Sequence, residues 1–200
     1  MKRTLLAAAL SLFAATAFAA PGDASGATTY QLDSGHTNVI ATWSHFGFSN
    51  PSAHFGQAKG TLVYDAADVG KSSVEVTLPL SGLTGFAADF DEHLNSADFF
   101  ESSKYPDAKF KSTKVEASGE GKLKVTGDLT IRDQTKPVVL DVTLNKSGAG
   151  RDGQPRVGFD AFATISRAAF GVGKFAPGVS DEVKLRITTE AGVPKTGDAK

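Results

Sequence analysis

The chain has 200 residues, with 21 basic against 22 acidic side chains and no cysteine. That length fits one domain, and the near-neutral balance gives no electrostatic drive toward nucleic acid or anionic lipid. The missing cysteine excludes disulfides, thiolate metal sites, a cysteine nucleophile and a lipidated leader cysteine. Phenylalanine supplies 14 of the 18 aromatic residues. It adds apolar area with no polar atom to satisfy, which suits a dry core and a greasy cavity equally.

Residues 1–19 read as a secretory signal peptide. Lys2 and Arg3 form the charged start, residues 5–13 the apolar core, and Ala17 and Ala19 the two small positions that place the cut after Ala19. The apolar run is too short for a membrane anchor, and no later segment reaches the ~18 apolar residues of a span. Losing Lys2 and Arg3 with the leader would leave 19 basic against 22 acidic residues, a net charge of −3. Residues 20–27 read as a flexible Gly/Ala/Ser tether.

From Thr28 the pattern has period two, the signature of half-buried strands. Strands are predicted over 28–32, 36–46 and 54–64, with turns at Asp33-Ser34-Gly35 and 47–52. Val74, Val76, Leu78 and Leu80 alternate with polar residues in a fourth strand, which Pro79 marks as an edge or a terminus. Residues 82–90 read as an apolar loop and 91–96 as a short helix, followed by Phe99-Phe100 and a Tyr105-Pro106 turn. Further strands follow at 108–116, 121–132, 137–144, 156–167 and 181–189, with a Gly-rich turn over 147–155. Residues 191–200 read as a frayed tail. The expected fold is all-β: an antiparallel, lipocalin-like barrel of about eight strands over 28–190. The aromatic insertion at 91–110 plugs or lids an apolar interior.

Four histidines, His36, His45, His54 and His93, form no close-spaced ligand pair, and structural roles outweigh a metal site. Asp91-Glu92-His93 suggests acid–base chemistry, but charges at a helix start are explained more simply by the helix dipole. There is no Gly-x-Ser-x-Gly elbow, and the glycines around Gly171 and Gly173 lack phosphate-loop spacing. Arg167, at a strand end, suits either an anionic head group or a structural pairing with Asp181 or Asp98. The largest functional weight falls on the aromatic residues. Trp43, Phe46, Phe48, Phe55 and Phe86 belong to this set, as do Phe90, Phe99, Phe100, Phe110, Phe159 and Phe170. Together they suit the wall of an apolar pocket or a fully packed core.

Several stretches in order carry a family resemblance: residues 33–36 with Val39, Gly60-Thr61-Leu62, and HLNSADFFESSKYPDAKF over 93–110. KVTGDLTIRDQTKPVVLDV over 124–142 and the motifs between Ser166 and Ile187 complete it. Together they resemble the YceI-like family of bacterial polyisoprenoid-binding proteins, over roughly 28–190. The resemblance implies a periplasmic, non-enzymatic carrier whose elongated apolar cavity holds a long isoprenoid or similar amphiphile, without cofactor or metal. It also implies a homodimer as an open expectation. His45 or Arg167 at the rim would orient the head group, and Leu94, Phe99, Phe100 and Phe110 would pack the insertion onto the barrel. Residues 81–90 depart from the commoner, more polar pattern of the family.

Overall fold

The computed structural model describes residues 26–194. The expected leader, its cleavage site, and most of the tether and tail lie outside them. Alternating side chains build the wall. Along β8 (Lys122–Ile131), Leu123, Val125, Leu129 and Ile131 are buried while Lys122, Lys124 and Asp128 face solvent. The neighbouring strands β7 (Asp107–Gly119), β9 (Gln134–Ala149), β10 (Pro155–Ser166) and β11 (Glu182–Gly192) pair in sequence, all antiparallel.

The first three wall strands are each broken in two. β1 (Thr28–Leu32) and β2 (Asn38–Thr42) form the first, β3 (Ser52–Phe55) and β4 (Lys59–Tyr64) the second, β5 (Ser73–Pro79) and β6 (Leu83–Thr84) the third. β11 runs unbroken past the first step. It pairs with β2 from Lys184 to Thr188 and with β1 at Ala191 and Gly192. That last pairing closes the sheet into a barrel of eight wall strands, with neighbours adjacent in sequence throughout.

The expectation of one strand over 54–64 is corrected here. Gln57 takes a left-handed backbone, φ 57°, and Gly56 donates to the Gly82 carbonyl at 3.0 Å. A Cβ on Gly82 would lie 2.6 Å from the Gly56 carbonyl oxygen, so the two steps can adjoin only because a glycine stands there. Pro79 ends β5, in the terminating role expected of it. β9 runs five residues beyond its predicted end because its pairing with β10 continues to Ala149. Residues 145–149 are exposed on both faces, so no alternation marks them as strand.

At the closing seam, Asp33 donates its backbone N–H to the Glu190 carbonyl (2.9 Å), and its carboxylate meets His36 Nδ1 at 2.9 Å. This hydrogen bond raises the His36 pKa and is the largest influence lowering that of Asp33. The charged pair therefore supports the seam between those two values. Its contribution fades as pH rises through the raised His36 value, and also as pH falls through the lowered Asp33 value. An NMR titration is expected to place His36 above the ordinary imidazole value of 6.5, and Asp33→Asn to bring it back. A midpoint at or below the ordinary value would contradict the pairing.

Candidate functional site, an apolar cavity beneath a helical cap

The end of the barrel at which β2, β3 and β6 lie is covered by α1 (Ala88–Asn95) and the segment that follows it. The helix begins three residues earlier than predicted. Asp89 and Asp91 lie in its first turn, where the helix dipole favours them. Ala87 offers no side-chain cap. The Asp91 carboxylate instead accepts from Thr84 Oγ1 at 3.1 Å and from the Gly85 backbone N–H, tying α1 to β6. His93 packs edge-on to Phe99 (4.9 Å between centroids) and near Phe175 (6.3 Å). Two residues apart on a helix, Asp91 and His93 face different sides, so the suspected acid–base group is not assembled.

Beneath this cap lies a cavity of about 480 Å³, inside the range of ~300–1,000 Å³ typical of small-molecule sites. β2 contributes Val39 and Ala41, β3 contributes Ala53 and Phe55, and β11 contributes Val183 and Leu185. The cap supplies Phe90, His93, Leu94, Phe99 and Phe100. A second compartment of about 160 Å³ continues into the barrel between β4, β5, β7, β8, β9 and β10. The two share Val39, Leu78, Leu129 and Leu185, which form a waist between them. Apart from the Trp43 indole, the polar side chains of the outer wall are His45, His93 and Arg167. Among the described residues, no carboxylate lines either compartment.

The aromatic residues singled out from sequence divide by position. Trp43, Phe46, Phe55, Phe90, Phe99 and Phe100 line the outer compartment, together with His45 and Arg167. Phe110 and Phe159 line the inner one. Phe170 lines neither: it is buried in the packed core. Phe48 and Phe86 point to solvent, so the expected lining role does not extend to these three. Period two cannot place Phe48 or Phe86, because both sit in connections rather than strands. Ala41, Ala53 and Leu185, whose small or aliphatic side chains shape the void, do not stand out in the sequence as site residues. Their signal was the alternation of β2, β3 and β11, not their chemistry.

Arg167 is buried, and its guanidinium is enclosed by carbonyls. Nε donates to Ser180 O (2.8 Å), Nη1 to Val172 O (2.6 Å) and Lys174 O (2.8 Å), and Nη2 to Val179 O (2.7 Å). Burial pushes its pKa down while the nearby Asp181 charge pulls it up. Asp181 does not accept from the guanidinium. It holds Ser166 Oγ (2.6 Å) and the Ala168 N–H (2.7 Å), and these bonds set its own pKa low. Asp98 pairs with Lys174 instead. The structural role weighed for Arg167 is thus met by backbone oxygens rather than by either carboxylate.

Arg132 was not singled out from sequence. It sits left-handed (φ 56°) at the β8–β9 turn. It reaches the Glu101 carboxylate at 2.7 Å, and the carbonyls of Phe99 and Gly171 at 3.1 and 3.3 Å. Its Nε is buried without a partner. This clip fastens the segment after α1 to the barrel. Arg132→Met should leave the barrel folded and raise amide exchange across 97–101 by about tenfold, the equivalent of one lost charged hydrogen bond. Unchanged exchange there would contradict the clip.

Asp33, His36 and Glu190 have donor atoms within 4.8 Å of one another. His36 and Glu190 lie exposed at the barrel seam and Asp33 half-buried there, where a salt link from Arg156 (3.8 Å) already engages it. His45, His54 and His93 do not converge with carboxylates among the described residues.

A closed up-and-down barrel with an apolar two-compartment interior and a helical cap defines a cavity-bearing β-barrel of the lipocalin-like kind. Residues 30–191 match the model of the YceI-like domain. The chain belongs to the YceI-like family. It is 36% identical over 199 residues to a UPF0312 protein of Vibrio cholerae, covering 98% of this chain and 100% of that one. A UPF0312 protein of Pseudomonas syringae pv. tomato is 38% identical over 197 residues, 98% of this chain and 99% of that one. Among solved structures, Burkholderia cenocepacia BcnA superposes with a TM-score of 0.73 at 25% identity, covering 80% of this chain and 98% of that one. The Campylobacter jejuni YceI protein does so with 0.69 at 30% identity, covering 76% and 90%. A polyisoprenoid binding domain from Saccharophagus degradans shares the fold alone, at 12% identity with a TM-score of 0.62, covering 82% and 98%.

Proposed function

We propose that this protein is a periplasmic carrier or store for a long-chain isoprenoid or a similar amphiphile, held tail-first in the barrel. The observation that carries the reading is the pair of apolar compartments meeting at the Val39, Leu78, Leu129 and Leu185 waist. An elongated ligand fits that shape better than a compact one. Each CH₂ moved from water into such a wall contributes ~0.8 kcal/mol, so a long tail needs almost no polar contact to bind tightly. His45 and His93, which line the outer compartment, would meet a polar head. Arg167 contributes positive potential there, although its donors are directed at carbonyls.

The leader expected over residues 1–19 supports export to the periplasm, where a prenyl chain needs a shield from water. Trp43, Phe55, Phe90, Phe99 and Phe100 would contact the first part of the tail, and Phe110 and Phe159 the far end. Each barrel holds a complete cavity within one chain, so the reading does not depend on whether a homodimer forms. Native mass spectrometry of gently purified protein tests it: a retained long-chain lipid is expected. A bare mass that stays bare after incubation with a prenyl alcohol would overturn the proposal.

A further inference from the structure

The mouth of the outer compartment is bordered by two connections, residues 43–51 and 171–180. They are laced together: Phe46 N–H donates to Gly178 O (2.7 Å), and Ser180 N–H to Ser44 O (2.9 Å). Ser44 N–H donates to Ser180 Oγ (2.9 Å). His45 forms β-bridges to both Ser49 and Val179. From this fixed collar three phenylalanine rings project, Phe46 at 56% exposed, Phe48 at 92% and Phe175 at 50%.

Two of the three stand on left-handed backbone, Phe46 at φ 50° and Phe175 at φ 67°. A bulky side chain adopts that conformation only where the surroundings impose it. Lacing between the loops does so here, and it leaves Phe46 and Phe175 half-exposed at the rim, each also bordering the outer compartment. The two connections contain a single formal charge, Lys174, and Asp98 neutralises it.

We propose that this aromatic collar seats the cavity mouth on the surface of an electrically neutral lipid bilayer. The inference rests on the carrier reading and names the partner from which the tail would enter. Rings that dip into the interface would let a prenyl chain pass from bilayer to cavity without crossing water. Charge decides the kind of membrane. Exposed Asp89 and Glu92 lie on the cap helix, and among the described residues the two connections carry no lysine or arginine beyond the paired Lys174, so an anionic surface is disfavoured. Area weighs against a second copy of the chain as occupant. At ~200 Å² per ring, the exposed fractions amount to about 400 Å². A stable contact between copies requires about 800 Å² on each side.

Phe48 supplies the clean test, because it lines neither compartment. Lipid-free protein is sedimented with phosphatidylcholine vesicles, while uptake of a detergent-dispersed prenyl alcohol is measured separately. The expected result is vesicle association that is insensitive to salt. Phe48→Ser should weaken it about tenfold and leave uptake from detergent unchanged. No association, or an indifferent Phe48→Ser, overturns the docking even if uptake is normal. Failed uptake with intact association would sink the carrier reading and leave the docking standing. A dimer that Phe48→Ser dissociates, with no vesicle binding, would assign the collar to contact between copies and overturn the proposal.

Discussion

Arg167→Met should destabilise the protein by about 3–5 kcal/mol, read as a lower urea midpoint with an unchanged slope. The side chain carries four hydrogen bonds from one buried cation to the carbonyls of Val172, Lys174, Val179 and Ser180. Methionine fills much of the volume but donates nothing, so those oxygens lose their partners, Val172 O in a buried place and the other three in half-buried ones. Buried acceptors left unpaired cost more than the bond itself contributed. The same change should loosen residues 171–180, which form half of the mouth. Arg167→Lys keeps the charge but not the planar fork, and should recover only part of the loss. A change below about 1 kcal/mol for Arg167→Met would show that the carbonyls find water instead, and that the arginine is not what shapes this connection.

Ala41→Phe should abolish most binding of a prenyl chain while leaving the fold intact. Ala41 and Ala53 face each other across β2 and β3, and both open onto the outer compartment. A phenylalanine at 41 can extend into the 480 Å³ void rather than into packed neighbours. The usual overpacking cost of ~1–3 kcal/mol is therefore largely avoided. The ring displaces space for about four CH₂ groups. At ~0.8 kcal/mol each, that is about 3 kcal/mol, a loss of affinity on the order of a hundredfold. Thermal unfolding and equilibrium binding, measured on the same preparation, separate the two effects. Binding unchanged by Ala41→Phe would place the ligand elsewhere.

Fold class was legible because alternation survives along much of the long wall strands, most completely in β8. Leu123, Val125, Leu129 and Ile131 alternate with polar residues and all point inward. The three steps in the early strands were not legible. Each depends on what a neighbouring strand does at the same level, as Gly56 and Gly82 show by meeting across β3 and β6. The cavity was legible as a surplus of phenylalanine, but not its boundary. Phe55 lines the void, while Phe48 leaves it, because one sits in a strand and the other at the tip of a turn. Arginine roles were the least legible. Nothing local distinguishes Arg167, which is wrapped in carbonyls contributed by residues 172–180, from an arginine waiting for an anion. Arg132 acts on a segment some thirty residues away in sequence.

If the protein carries a prenyl chain, the two compartments act as one tunnel for it. The most direct measurement is the affinity of lipid-free protein for prenyl alcohols of increasing length, by calorimetry. It should tighten with each added isoprene unit while the tail advances through the waist. It should then level off once the inner compartment is filled. Affinity that is absent at every length, or that does not depend on length, would contradict the claim.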